Sequence, residues 1–352
     1  MSKFLSKKYD SLAPYTPGEQ PKERVYIKLN TNESPFPPSK KAIEAAEREA
    51  ERLMLYSDPE CRDLVSKMAE TFSVDKSSVI MTNGSDEVLN FAFMAYCDDK
   101  TPAVYADITY GFYKVFAAIN NLPSVVIPLK EDFTIDIDEY INTDGTVFIA
   151  NPNAPTGILL PLPEIERLVK SNPDRIVVID EAYIDFGGES AVSLTKKYNN
   201  LLVTGTFSKS RSMAGARLGY GIACPEIIED LTRIRYSTNP YNVNRMTMAA
   251  GVGALEDCEY FSENCKKIIK NREWTERELS SLGFTYLDSK ANFIFAKSDK
   301  IDGKALYLAL KEKGVLVRHF DAPRISDYNR ITIGNAEEMQ ILVDKIKEIL
   351  NK

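Results

Sequence analysis

Lys209 sits in the stretch TGTFSKSRSMAGARLGY, Thr204 to Tyr220, directly after the apolar run LLVTGT. A lysine at the end of a buried strand can lose its proton through desolvation and nearby cations, which turns an ammonium into a nucleophilic amine. A lone lysine is nearly always a solvated surface charge, but this one stands among small residues between two strand-like runs. The hydroxyls of Thr206 and Ser208 and the guanidinium of Arg217, eight residues beyond Lys209, are the types that hold a dianionic phosphate. A second stretch, IVVIDEAY from Ile176 to Tyr183, ends an apolar run in Asp180 and Glu181. A carboxylate buried there needs a cationic partner or it takes up a proton. A protonated pyridine-type nitrogen is such a partner. The alternatives are a metal or a Walker-type acid, and the latter lacks its P-loop lysine pattern.

Two further stretches follow apolar runs. TNGSDE, Thr82 to Glu87, precedes a helical run, so Gly84, Ser85 and Asp86 could offer backbone amides to an anion at a helix N-terminus. Read more plainly, it is a helix start capped by Ser85 or Asp86. NPNAPTG, Asn151 to Gly157, carries two prolines and a glycine that force a turn where a strand ends, either a ligand-facing turn or an ordinary surface one.

These residues need elements to bring them together. Short apolar runs fall at 79–82, 103–106, 146–150, 176–180, 201–206 and 218–223, and helical periodicity appears between them, as in Cys61, Leu64, Val65, Met68, Ala69 and Phe72. Runs of this kind suit strands buried on both faces, and the alternation predicts an α/β domain with a mostly parallel sheet sandwiched by helices. Such sheets bind ligands at the carboxyl ends of their strands, where the four stretches lie. The last hundred residues predict a smaller α+β unit: a long helix at 257–281, strands near 283–287, 292–297, 315–318 and 330–333, and a final helix with Met339, Leu342, Val343, Ile346 and Leu350 on one face. The expected division is an N-terminal arm at 1–38 packing beside the small unit, a large domain at 39–250 and a small domain at 251–352.

The bulk properties narrow the field. With 44% apolar and 27% charged residues, the chain is an ordinary folded protein, not a disordered one. A net charge of −7 argues against a nucleic-acid binder, which needs a basic face. Five scattered cysteines without a C-x-x-C pair read as reduced thiols in a cytoplasmic protein, and no metal site is expected. The single histidine, His319, makes a Ser-His-Asp or Cys-His mechanism improbable. The first seventeen residues lack a signal-like apolar region, and the apolar stretch Val88 to Cys97 is too short to span a bilayer, so no membrane association is expected.

Taken in order, the four stretches resemble the fold-type I pyridoxal-phosphate aminotransferases, and more narrowly the histidinol-phosphate aminotransferase family, from KLNTNESPFPPS (28–39) through RITIG (330–334). The resemblance implies a pyridoxal 5′-phosphate cofactor carried by Lys209 as a Schiff base. It implies that Asp180 pairs with the ring nitrogen, Tyr183 hydrogen-bonds the ring oxygen and Tyr110 stacks on the ring. Gly84, Ser85, Asp86, Thr206, Ser208 and Arg217 are implied as phosphate contacts. Tyr56 matches a tyrosine that reaches the neighbouring subunit's site, which implies a homodimer. Arg330 and Arg318 are implied for the acidic group of the substrate, with Asn32 on the substrate side. The pattern departs at Ala154, where the family has an asparagine before Pro-Thr-Gly; Asn153, one residue earlier, is the candidate replacement. The implied reaction is transamination between L-histidinol phosphate and 2-oxoglutarate. The same motifs also serve aromatic or broad-specificity aminotransferases and threonine-phosphate decarboxylases. A non-catalytic binding protein of the same fold is the reading from another class.

Overall fold

The computed structural model describes residues 2–10 and 12–351. Their strands form three sheets. A two-stranded sheet pairs β1 (Ile27–Lys28) in parallel with β11 (Val315–Leu316). The large sheet contains β2 (Val79–Thr82), β3 (Ala103–Ala106), β4 (Ser124–Ile127), β5 (Thr146–Ala150), β6 (Val177–Asp180), β7 (Leu201–Thr206) and β8 (Gly219–Ile222), in the order β2-β8-β7-β6-β5-β3-β4. The third sheet takes β9 (Phe284–Tyr286), β10 (Phe293–Ser298), β12 (Arg318–His319) and β13 (Asn329–Thr332), in the order β12-β13-β10-β9, all antiparallel.

The large sheet is parallel except for β8, which runs against both its neighbours. Its central strands are apolar throughout because both faces are covered. Along β6, Val177 and Ile179 pack into one core with Met68 and Ile165, while Val178 points to the other with Phe93 and Phe148. Asp180 follows with the parity of Val178. It therefore turns toward the side where Tyr113 lies.

Register then decides which loops meet. Ala150 pairs with Asp180 and Asp180 with Thr204, so the carboxyl ends of β5, β6 and β7 lie side by side. Thr82 and Thr206 both pair with Gly219, which brings TNGSDE beside the Lys209 loop. This approach is close. A Cβ on Gly219 would lie 2.2 Å from the Ser85 amide nitrogen.

The helical periodicity from Cys61 to Phe72 and the long helix expected at 257–281 correspond to the helices Arg62–Phe72 and Cys258–Ser281. The final helix Ala336–Leu350 starts in a capping box, Asn335 with Glu338, and buries Met339, Leu342, Val343 and Ile346. These side chains join Phe293, Ile331 and Leu306 in a separate core that also receives Leu29, Tyr183 and Phe186, with Trp274 packed against it. Two expectations change. β4 is not among the expected strands, although the apolar run VVIPL begins at Val125; three of its four residues are exposed because it is the edge of the sheet. The stretch expected as one strand at 315–318 divides at Val317, β11 joining the arm and β12 joining β13. No helix among the described residues is long and apolar enough to cross a membrane.

Candidate active site

A cavity of about 400 Å³ opens at the carboxyl ends of β2, β5, β6 and β7. Lys209, in the connection from β7 to β8, lines it; its Nζ lies 3.4 Å from the Thr31 carbonyl and 5.7 Å from the Tyr183 ring centre.

One end of the cavity gathers a helix start, two hydroxyls and a guanidinium. Ser85 and Asp86 open the helix Ser85–Tyr96, whose N-cap Gly84 has φ +79°. Opposite them, Thr206 Oγ1 donates to Ser208 Oγ at 2.9 Å, and Arg217 Nη1 reaches the same oxygen at 3.4 Å. Arg217 Nη2 donates to Asp86 Oδ2 at 3.3 Å. Arg217 has a left-handed backbone, φ +55°, a conformation that costs a non-glycine residue about 1–2 kcal/mol and aims this guanidinium back over the helix start. A Cβ on Gly84 would stand 2.6 Å from Arg217 Nη2.

Asp180 lies buried at the floor, accepting from the Ala182 amide and from Tyr113 Oη at 3.3 Å each. Burial, helped by the negative Asp86, pushes its carboxyl up to about 7, against the opposing effects of Ala182, Tyr113 and Lys209. Among the described residues no cation forms a salt bridge with this carboxyl. Tyr110 lines the wall and donates to Asp86 Oδ1 at 2.7 Å. Tyr183 lines the opposite side, its hydroxyl accepting from Asn32 Nδ2 at 3.0 Å.

Arg318 and Arg330 are cross-strand partners in β12 and β13, so their side chains share one face. Arg318 donates to the carbonyls of Thr16 and Pro17, and Arg330 to that of Asn30. Burial, and the like charge of Arg318, lower the Arg330 pKa, while Tyr183, Tyr15 and Tyr110 act in the opposite sense. Its Nε has no acceptor among the described residues. Neither arginine is among the residues that line the cavity itself.

A family model, aminotransferase class I and II, matches residues 24–346. The chain belongs to that family. It is 52% identical over 354 residues to a histidinol-phosphate aminotransferase from Brachyspira hyodysenteriae, covering 99% of each chain. It is 47% identical to one from Clostridium acetobutylicum, covering 99% of this chain and 100% of the other. Among solved structures it shares its fold with the Sinorhizobium meliloti histidinol-phosphate aminotransferase in complex with pyridoxal-5′-phosphate, with a TM-score of 0.87, 24% identity, and coverage of 93% and 92% of the two chains.

In this aminotransferase two of the expected site residues, Asn153 and Asn32, are not among those that line the cavity. The Asn153 amide is consumed by the Ile108 carbonyl, Thr156 Oγ1 and Thr109 Oγ1, at 2.9, 3.1 and 2.8 Å, and Ala154 lines the wall instead. Asn32 lies behind Tyr183. It is buried with φ +56°, clamped by Thr332 and the Asn292 amide, and presents its own amide to the Tyr183 hydroxyl from behind. Tyr56 stays outside the cavity of its own chain, 79% exposed and stacked on Tyr241 with ring centres 4.5 Å apart.

Several cavity residues went unmarked in the sequence. Gln20, Thr31 and Glu33 carry no local signal, because long-range pairing of the arm brings them to the cavity. Tyr113 lies behind the cavity wall, fully buried in the helix Phe112–Ile119, and reaches the site only through its hydrogen bond to Asp180.

Proposed function

We propose that this aminotransferase, with pyridoxal 5′-phosphate as cofactor, moves the amino group of L-histidinol phosphate to 2-oxoglutarate, giving imidazole acetol phosphate and L-glutamate. The observation that carries the reading is the meeting of the buried Asp180 and Lys209 in one cavity whose end gathers Arg217, Thr206, Ser208 and the start of a helix. The full-length relatives that bear the histidinol-phosphate name support the substrate.

The residues present fit the cofactor. Ser85, Asp86, Thr206, Ser208 and Arg217, with Gly84 leaving room, hold its phosphate. Tyr110 covers the ring, Tyr183 takes the ring oxygen, and Asp180 holds the ring nitrogen as a cation. Lys209 is the covalent anchor. When bound, the cofactor supplies an electron sink for the carbanion left at the substrate Cα. Asp180 keeps the positive charge in place on which that sink depends. With the cofactor bound, the Lys209 amine would take the proton from the substrate Cα and deliver it to the cofactor's C4′ in the same half of the exchange, and would carry a proton from C4′ to Cα in the other half. Arg318 and Arg330 orient the substrate by its phosphate, or the glutamate by its carboxylate.

In this reading residues 39–250 form the cofactor-binding domain, residues from 251 onward the small domain, and the arm before residue 39 packs against the latter. The enzyme works as a homodimer, with Tyr56 reaching the phosphate in the partner's site. The run Leu53, Met54, Leu55 and Tyr56, exposed in one chain, supports that face. The five unpaired cysteines support work in the cytoplasm.

The test is turnover of cofactor-loaded protein with 2-oxoglutarate and L-histidinol phosphate, beside phenylalanine, tyrosine, aspartate and O-phosphothreonine. Glutamate formed fastest from histidinol phosphate is the expected result. Preference for an aromatic amino acid, or carbon dioxide released from O-phosphothreonine, overturns the substrate.

A further inference from the structure

The cavity contains one carboxylate that the reaction leaves without a task. Glu33, half-buried, lines the wall near Lys209 and follows the short segment 30–32. That segment is a ruler along the substrate. The Asn30 carbonyl receives Arg330, the Thr31 carbonyl faces the Lys209 amine, and Glu33 comes next. The other two acids lining the cavity are committed: Asp86 to Arg217 and Tyr110, and Asp180 to the floor.

Glu33 is held by one oxygen only. Lys28 Nζ and Thr31 Oγ1 both donate to Oε2. Oε1 accepts no hydrogen bond among the described residues and is not a fully buried atom, and Glu33 lines the cavity. Burial acts to raise the Glu33 pKa, but the hydrogen bonds from Lys28 and Thr31 outweigh it and hold the group below the ordinary carboxylate range. Glu33 therefore stands ionised, oriented and with one acceptor to spare.

A substrate whose anion meets the arginine pair and whose amine meets Lys209 has one branch of its Cα left over. We infer that Glu33 is a specificity-determining residue, whose free Oε1 receives a ring N–H of the imidazole on that third branch. The inference rests on the histidinol-phosphate reading and deepens it. A phenyl ring or a methyl group in the same place has no donor and would leave the carboxylate oxygen desolvated and unpaired. Sites built to hydrogen-bond a substrate reject analogues lacking the group more strongly than apolar pockets reject size differences.

The test compares L-histidinol phosphate with L-phenylalaninol phosphate, which keeps the amine and the phosphate but replaces imidazole by phenyl. Affinities are measured by titration calorimetry on enzyme whose cofactor has been fixed by borohydride reduction, so turnover plays no part. The wild type is expected to prefer histidinol phosphate by about tenfold or more, the scale of one hydrogen bond to a charged group. Glu33→Leu, which has no acceptor, is expected to lose that preference, and Glu33→Asp, which keeps the carboxylate, to retain part of it. A preference that survives in Glu33→Leu overturns the role of Glu33 and leaves the substrate intact. A wild type that binds both ligands equally overturns Glu33 as discriminator, and one that fails to bind histidinol phosphate overturns the substrate reading as well.

Discussion

Asp180 gives the residue scale its clearest energetic signature. Its carboxyl ionises at an ordinary value of 3.8 in an exposed setting and at about 7 in the fold, because burial penalises the charge. Between those values the folded protein keeps a proton that the unfolded chain has released. Stability of the cofactor-free protein therefore falls as pH rises from about 4 to 7, by a few kcal/mol at most. Asp180→Asn should make that decline shallower in urea titrations at pH 5 and 7.5, and cofactor with a cationic ring nitrogen should do the same. Equal slopes in wild type and variant would remove Asp180 from this role. Glu181, pushed up to about 8 mainly by burial, adds a background of the same sign. Lys209→Ala should lower turnover by about 10⁴-fold and leave a cofactor that dialysis removes; retained turnover would sink the assignment. Lys209, Asp180 and Arg217 could be read from sequence because each sits at a strand end whose apolar run is unmistakable. Asn153 and Asn32 could not. The direction of an amide is set by Thr109, Ile108 and Thr332, partners that lie far off in the chain.

At the scale of elements, the proposed phosphate cradle depends on two chain segments approaching backbone to backbone. Gly84 sits at φ +79° beneath the Arg217 guanidinium, with no room for a side chain. Gly84→Ala should cost about 1–2 kcal/mol of backbone strain and displace Arg217, raising the cofactor dissociation constant about tenfold. Equilibrium dialysis of cofactor checks it; unchanged affinity would show that Arg217 does not grip the phosphate. The parallel core of the sheet was legible because strands covered on both faces write continuous apolar runs. The edge strand β4 was not: it has an apolar run too, VVI at 125–127, but one so short and so close to Pro123 and Pro128 that it reads as a turn. Nor was the break at Val317, which exists only because the arm and β13 claim neighbouring stretches of one strand.

The whole molecule raises the question of what one chain lacks. Tyr56 cannot serve its own cavity from its exposed position on Tyr241. In a two-fold dimer each site would combine Lys209 of one protomer with Tyr56 of the other. Mixing Tyr56→Ala and Lys209→Ala subunits should then restore about a quarter of the wild-type sites, since half of the random dimers carry one intact site. Co-expression with two affinity tags and an activity assay tests this, and no recovery beyond the parent variants would place Tyr56 elsewhere. The arm is fastened to the other unit: Glu19 is held by Tyr307 and Lys311, and Arg24 donates to the carbonyls of Lys311 and Glu312. Against that same unit packs Trp274, the chain's one tryptophan. Its indole is consequently a built-in optical probe with a single address. Excited at the red edge, where the tyrosines stay dark, its emission reports on the smaller core alone. Loading of a near-ultraviolet-absorbing cofactor becomes readable as quenching, with no label introduced.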